Sequence, residues 1–196
     1  VPLPDSVTVP LSQHIGAPAE PCVGKGDYVK AGQLIGQAAG FVSANVHSPV
    51  SGQVTAVDSV PDAGGIRRIA VTIRREGDEW ADGIDCGDTL IKECYLTDEE
   101  IIARITAAGI VGMGGATFPT QVKLSVPPGK RAEYLIVNGA ECEPYLTADY
   151  RTMLERGAEV LVGIDILCRA LGVTKAFIGI ENNKPDAVSH LTALAI

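Results

Sequence analysis

A glycine-rich stretch at residues 109–115 constrains the chain most, because four of its seven residues are glycine. A backbone with so few Cβ atoms predicts a loop that can adopt positive φ and approach a ligand closely, with its N–H groups turned towards an anion. Phe118 follows the glycines and offers a flat ring, and Lys123 offers a positive charge for a phosphate. This order of residues favours a cradle for a phosphorylated planar cofactor.

The stretch does not match the common nucleotide-binding loops. Thr117 stands where the dinucleotide-binding pattern needs its third glycine, and no Gly-Lys-Ser/Thr sequence of a P-loop follows. The alternative interpretation is a flexible helix-to-strand loop that buries Phe118. The glycines alone do not decide between the two interpretations.

The composition argues against several classes of partner and site. A net charge of −8 over 196 residues argues against a nucleic-acid surface and against binding to anionic membranes. No apolar run reaches the length of a membrane-spanning helix. The five cysteines form no C-x-x-C pair, and His14 and His47 have no clustered partner, so no metal site is expected. Free thiols without an export signal favour a reducing cytoplasm.

The first part of the chain predicts a small all-β sandwich or barrel. Short apolar runs alternate with turn signals from about residue 6 to residue 73. These runs lie at 7–9, 33–35, 44–46, 53–57 and 69–73. The predicted domain covers residues 1–75, and the acidic residues 76–96 are expected to form a linker.

Residues 97–196 predict an α/β domain with a mostly parallel, Rossmann-like sheet. Thr97 and Glu100 form a capping box at the start of a helix, and Gly109 follows its end. Apolar runs at 134–137 and 175–180 predict buried strands, with two helices between them and a third helix after the second strand. The whole chain is therefore expected to combine α+β and α/β architecture.

Polar residues follow both predicted strands of this second domain. Asn138 and Glu141 follow the first strand, and Glu181 and Asn182 follow the second. Ligands of open α/β sheets bind beyond the carboxyl ends of the strands, so this edge is a candidate binding site. The alternative is a solvated acidic loop.

The β-rich part resembles the barrel-sandwich hybrid of biotinyl and lipoyl domains. The resemblance rests on Gly26-Asp27-x-Val29-x-x-Gly32-Gln33-x-Ile35 and on the later Ser48-Pro49-Val50-Ser51-Gly52-Gln53-Val54. In that family a lysine on a hairpin tip carries the prosthetic group. Here the tip is expected near Phe41, and no lysine lies between Lys30 and Lys92. The resemblance therefore implies the fold without the swinging arm, as a structural or docking module.

Three longer strings resemble the RnfC subunit of the Rnf electron-transport complex, and the resemblance covers nearly the whole chain. They read GIVGMGGATFPT at 109–120, NGAECEPYLTADYR at 138–151 and GIENNKP at 179–185, and the sequence PLSQHIG at 10–16 also fits. More distantly, the loop is similar to that of the NADH-oxidising flavoprotein subunit of respiratory complex I.

The resemblance implies an FMN site that accepts hydride from NADH, with no catalytic acid or base. Gly112, Gly114, Gly115 and Lys123 match the FMN-cradling loop, and Asn138 and Glu141 match the second FMN segment. Glu143 and Phe118 match the nicotinamide side. Three positions depart from the family pattern, namely Thr117 in place of a glycine, Ala140 and Cys142.

The resemblance further implies an ion-translocating NADH:ferredoxin oxidoreductase that lies peripherally on the cytoplasmic face of the inner membrane. Its partners are the other subunits of the complex and, through them, ferredoxin. The 4Fe-4S clusters that accept the electrons are expected beyond residue 196. The chain is thus expected to be an N-terminal fragment with a truncated α/β domain, inactive by itself. The alternatives are a non-catalytic docking or scaffold module and a relative of cobalamin reductases.

Overall fold

The computed structural model describes residues 2–62 and 64–195 and divides them into two compact units. The first unit contains Val1–Gly87 and Ala103–Lys123, and the second contains Asp88–Ile102 and Leu124–Ile196. The glycine-rich stretch therefore belongs to the same compact unit as the N-terminal β-strands. No helix in the described ranges combines the length and the hydropathy of a membrane-spanning segment.

The first unit contains two antiparallel sheets, whose strands range from two residues in β2 to ten in β6. One sheet contains β1 (Ser6–Pro10), β3 (Tyr28–Val29), β6 (Gly52–Pro61) and β7 (Arg67–Arg75), in the order β1-β7-β6-β3. The other contains β2 (Glu20–Pro21), β4 (Leu34–Gln37) and β5 (Val46–His47), in the order β2-β4-β5. The prediction of an all-β module from short apolar runs is confirmed.

The core of this unit is formed by apolar side chains from both sheets. Val9 pairs with Val71 across β1 and β7, and Ile35 of the smaller sheet belongs to the same buried cluster. Complete burial of such a side chain stabilises the fold by roughly 1.5–3 kcal/mol. The period-two pattern of the strands thus places one face of each sheet in a shared core.

Strands β4 and β5 form a hairpin whose connecting residues, 38–45, are called the hairpin tip. The pairing of Leu34 with His47 and of Gly36 with Val46 places Phe41 near the middle of the connection, where it is 71% exposed. This is where the sequence places the tip. The backbone thus forms the predicted hairpin, and no lysine lies on it.

Helix α1 (Asp98–Ala107) begins with the predicted capping box. The Thr97 N–H donates to Oε2 of Glu100 at 2.8 Å, and the Glu100 N–H donates to Oγ1 of Thr97 at 3.2 Å. Two backbone donors that have no partner within the helix are thereby satisfied, which confirms the predicted start of the helix. The short helix α2 (Thr120–Leu124) follows the glycine-rich stretch.

The second unit contains one parallel strand pair and three helices. Strands β8 (Leu135–Asn138) and β9 (Ala176–Gly179) pair in parallel, and α3 (Ala148–Glu155) and α4 (Gly157–Leu171) lie between them in the chain. Helix α5 (Pro185–Leu194) follows. The predicted order of elements is confirmed, and the described residues contribute two strands to the sheet. A larger Rossmann-like sheet stays a prediction.

The prediction that both strands are buried is wrong for one face of the pair. Ile136 is 68% exposed and Phe177 is 56% exposed, and the ring of Phe177 contacts Tyr134 edge-on at 5.7 Å. Ile178 instead packs against the buried cluster that contains Met153 and Leu191 of α3 and α5. Parallel strands are buried on both faces only where helices cover both. Apolar runs report strand propensity but do not reveal how many faces are covered.

Candidate cofactor site

The glycine-rich stretch forms a loop that is closed at its base. The Gly112 N–H donates to the Phe118 carbonyl at 2.9 Å, and the Thr120 N–H donates to the Ile110 carbonyl at 3.0 Å. Pro119 is fully buried beside these bonds, whereas Met113 in the loop is 87% exposed. The base is therefore held by backbone hydrogen bonds, and the exposed residues 113–116 are available to a ligand.

The three predicted cradle glycines differ in their surroundings. A Cβ added to Gly114 or Gly115 would meet no atom within 4 Å, so the backbone there is open. A Cβ added to Gly112 would lie 2.5 Å from Nζ of Lys123. The ammonium group thus occupies the space that a side chain on Gly112 would need.

Helix α2 holds Lys123 in its last turn, and the side chain is exposed. In the part of the chain that the structure describes, no carboxylate pairs with this ammonium group. Phe118 is half-buried, so its ring is partly accessible beside the loop. An open backbone next to a cation is a suitable arrangement for a phosphate group.

Positive φ angles occur beside the three cradle glycines and not on them. Gly109 has φ +64°, and Thr117 has φ +49°. Thr117 is the position where the resemblance described above implies a glycine, and a β-branched residue in this region is strained. Its hydroxyl donates to the Gln13 carbonyl at 2.7 Å, which offsets part of that strain. The tertiary contact explains how threonine is accommodated there.

In the second unit, Asn138 is the last residue of β8 and forms a local turn. Its Oδ1 accepts from the Ala140 N–H at 3.1 Å, and the next residue, Gly139, donates its N–H to the Gly179 carbonyl at 2.8 Å. A Cβ on Gly139 would lie 3.0 Å from that carbonyl oxygen. Glycine at position 139 therefore allows the ends of the two strands to approach each other.

Glu141 is 9% exposed, and its carboxylate is bound to the start of α3. The N–H of Asp149 donates to Oε1 at 3.0 Å, and the N–H of Tyr150 donates to Oε2 at 3.3 Å. These bonds lower the pKa of Glu141, and the bond from Asp149 has the largest effect. The positive charge of Lys184 lowers the pKa further, whereas burial of the carboxylate opposes the shift. A carboxylate at a helix N-terminus is also favoured by the helix dipole.

Lys184 is a residue of this strand end that the sequence analysis missed. Its Nζ lies 2.6 Å from Oε2 of Glu181, 3.4 Å from the Glu141 carbonyl oxygen and 5.9 Å from the ring centroid of Tyr150. The bond with Glu181 raises the pKa of Lys184 and lowers that of the carboxylate. A lysine that follows the acidic end of the second strand is the signal that could have indicated this network.

Glu143 is exposed in the turn before α3. Its carbonyl accepts from the Leu146 N–H at 3.3 Å, and Tyr145 within this turn has φ +69°.

The structure places Gly112, Gly114, Gly115, Phe118 and Lys123 at one loop of the first unit. It places Asn138 at the end of β8 and Glu141 and Glu143 between β8 and α3, all in the second unit.

The two parts of the chain match two known domain families. Residues 1–78 match the model of the RnfC barrel sandwich hybrid domain, and residues 105–196 match the model of the Nuo51 FMN-binding domain. The chain thus joins a barrel-sandwich hybrid to a domain of an FMN-binding class.

Several proteins of ion-translocating complexes are similar to this chain over almost its entire length. The C subunit of the proton-translocating ferredoxin:NAD(+) oxidoreductase complex of Clostridium ljungdahlii is 51% identical over 97% of this chain. The C subunit of the Na(+)-translocating complex of Acetobacterium woodii is 47% identical over 96% of it, and that of the ion-translocating oxidoreductase complex of Rhodobacter capsulatus is 49% identical over 98%. The chain is thus similar over almost its entire length to RnfC subunits. It spans 41%, 42% and 37% of the lengths of these relatives.

Proposed function

We propose that the protein binds FMN and NADH and passes electrons from NADH through FMN to 4Fe-4S clusters. It would do so as a peripheral subunit of an ion-translocating NADH:ferredoxin oxidoreductase on the cytoplasmic face of the membrane. Its partners would be the other subunits of the complex and, through them, ferredoxin. The relatives support this proposal because their names place them in ferredoxin:NAD(+) oxidoreductase complexes.

The observation that carries the proposal is the Lys123 ammonium beside the open backbone of the glycine loop. Gly114 and Gly115 have no neighbouring atoms where side chains would project, and Nζ of Lys123 lies against Gly112. An open glycine backbone and a cation suit a phosphate monoester, and the loop lies within the residues that match an FMN-binding domain. Bound FMN would supply the redox chemistry, so the protein needs only to bind and orient it.

We assign a role to each of the other predicted residues. Asn138 would offer its side-chain amide to the cofactor, whereas Glu141 would act by holding the first turn of α3 in place. Phe118 and Glu143 would lie on the nicotinamide side, where an exposed carboxylate favours a ribose hydroxyl over a 2′-phosphate. NADH should therefore reduce the flavin faster than NADPH does, and equal rates would contradict this assignment.

The proposed domain division follows the sequence. Residues 1–75 would form the barrel-sandwich hybrid, residues 76–96 would connect it, and residues 97–196 would be part of a Rossmann-like FMN- and NADH-binding domain. The compact units differ from this division, because they place residues 103–123 with the barrel.

The test is an FMN titration of the full-length protein and of a Lys123→Met variant. Hydrogen bonds to charged groups contribute about 1.5–3 kcal/mol, so the Kd for FMN should rise roughly 10- to 100-fold. Lys25→Met is the matched control, because Lys25 is an exposed lysine of the same unit in a turn of the barrel. Unchanged FMN affinity in Lys123→Met, or a full-length protein that is colourless and not reduced by NADH, would refute the proposal.

A docking module is the second candidate, favoured by the exposed apolar face that carries Ile136 and Phe177. A face of this kind is typical of a surface that another segment or protein covers. This candidate predicts a full-length protein that contains no flavin and still co-purifies with membrane subunits. Co-purification together with a flavin that NADH bleaches would favour the enzyme instead.

A further inference from the structure

The glycine loop is connected to the barrel by polar contacts on both of its flanks. Two contacts involve the hairpin tip, since Nδ2 of Asn45 donates to the Ala107 carbonyl at 3.1 Å and Nε2 of Gln121 donates to the Ser43 carbonyl at 2.7 Å. Two more involve residues 13–15, where Thr117 bonds to Gln13 at 2.7 Å and the Ile15 N–H donates to the Ala116 carbonyl at 3.3 Å. All of these residues belong to the first unit.

The hairpin tip also approaches Gly109 more closely than a side chain would allow. A Cβ at Gly109 would lie 2.2 Å from the Asn45 carbonyl oxygen and 3.3 Å from the Asn45 Cβ. The contact lies at the first residue of the loop, just after the end of α1. The tip therefore fills the space next to the residue from which the loop begins.

The hairpin tip is itself held in one conformation by the barrel. Ser43 is fully buried, accepts from the Ala39 N–H at 3.1 Å and donates to the Ala17 carbonyl at 2.8 Å. The Ala44 N–H donates to Nε2 of His14 at 3.2 Å, so this histidine holds the backbone of the tip. Because these bonds fix the tip to residues 14 and 17 of the barrel, the tip is a fixed support and not a mobile arm.

We propose that the hairpin tip and residues 13–15 act together as a clamp that sets the conformation of the glycine loop. The barrel is then part of the cofactor site, and Asn45 is a positioning residue that acts on the loop without touching the cofactor. This role in cofactor binding rests on the proposed FMN function. In the biotinyl and lipoyl domains that this module resembles, a lysine on the same tip carries the prosthetic group. Here the tip would instead orient the loop of a separate cofactor.

The test uses the full-length protein with two clamp variants and one control. In Asn45→Asp, one carboxylate oxygen can still accept from the Ala38 N–H, a bond of 2.9 Å in the wild type. The other oxygen replaces the Nδ2 donor, so the hydrogen bond to the Ala107 carbonyl is lost. Thr117→Val removes the hydroxyl that bonds to Gln13 and keeps the branched shape. The control, Thr8→Val, removes a contact of similar type, the 3.2 Å hydroxyl pair with Thr72 on strands β1 and β7.

Two measurements are made on each variant, namely hydrogen exchange of the loop amides and the Kd for FMN. Loss of one hydrogen bond corresponds to about a tenfold change in an equilibrium. Both clamp variants should therefore exchange the Gly112 amide about tenfold faster and bind FMN about tenfold more weakly. Thr8→Val should leave both values as in the wild type.

Three results would overturn the proposal. One is wild-type exchange rates in both clamp variants. Another is faster exchange with unchanged FMN affinity, because the clamp would then hold the loop without belonging to the cofactor site. The third is an equal effect of Thr8→Val, which would indicate general destabilisation of the barrel. If the wild-type protein binds no FMN, the proposed function fails, and the exchange rates still decide whether the clamp controls the loop.

Discussion

Two glycines that end helices in the same way offer a matched pair of substitutions. Gly109 follows α1 and Gly172 follows α4, and both have φ +64°. Each helix end also shows the same pair of backbone bonds, typical of a Schellman motif. At the end of α1, the Gly109 N–H donates to the Thr106 carbonyl at 3.1 Å and the Ile110 N–H to the Ile105 carbonyl at 3.2 Å. At the end of α4, the Gly172 N–H donates to the Arg169 carbonyl at 3.1 Å and the Val173 N–H to the Cys168 carbonyl at 2.9 Å.

The two sites differ in what a Cβ would meet. At Gly172 nothing lies within 4 Å, so Gly172→Ala should cost only the left-handed conformation, about 1–2 kcal/mol. At Gly109 the Asn45 carbonyl oxygen lies 2.2 Å from the Cβ position. A shift of about 1 Å is needed to relieve this contact, and it would break the 3.1 Å bond from Asn45 to Ala107, worth about 1 kcal/mol. Gly109→Ala should therefore cost about 2–3 kcal/mol.

Urea unfolding measures both costs, each with a probe in the affected unit. Trp80 is the only tryptophan and belongs to the first unit, so its fluorescence reports that unit. Far-UV circular dichroism follows mainly the helices α3, α4 and α5 of the second unit. With a typical urea dependence of about 1–3 kcal/mol per molar, Gly109→Ala should lower the Trp80 midpoint by about 1 M. Gly172→Ala should lower only the midpoint of the helical signal.

A Gly109→Ala variant that destabilises the first unit no more than Gly172→Ala destabilises the second would refute this explanation. Equal costs would mean that the helix-end conformation explains the whole effect. The close approach of the hairpin tip to Gly109 would then have no energetic consequence.

Three further predictions concern single side chains. Thr97→Ala should destabilise the second unit by about 1 kcal/mol through loss of the cap, with Thr97→Ser as control, measured by urea unfolding. Thr117→Gly should be more stable than Thr117→Ala by about 1–2 kcal/mol in the same assay, because both lose the bond to Gln13 and only glycine tolerates φ +49°. The pKa of Glu141 is lowered in the folded state. Its ionised carboxylate therefore stabilises the fold above the pKa of the unfolded chain, about 4.3, and this stabilisation is lost as pH falls through the pKa of the folded state. Thermal unfolding of Glu141→Gln should thus show a deficit at neutral pH that shrinks below about pH 4, and a constant deficit would contradict this.

Local signals in the sequence were sufficient for the elements that neighbouring residues determine. The capping box of Thr97 and Glu100 depends on residues three positions apart. Gly172 ends α4 because glycine readily adopts the left-handed φ that this position requires, which is a property of one residue. The short strands of the barrel follow from period-two patterns within a few residues. The glycine loop and its adjacent lysine were predicted for the same reason, since residues 109–123 are one short continuous segment.

Other features depend on residues that are distant in the sequence, and only the tertiary structure decided them. Asn45 and Ala107 are 62 positions apart, and Thr117 and Gln13 are 104 apart, so no local pattern could indicate their hydrogen bonds. Strand propensity likewise does not report which faces are covered, so the exposure of Ile136 was not predicted. The amino-acid sequence by itself determined where the loop, the caps and the strands lie. The folded chain decided which of their groups are supported, buried or left open, because those properties arise from contacts between segments.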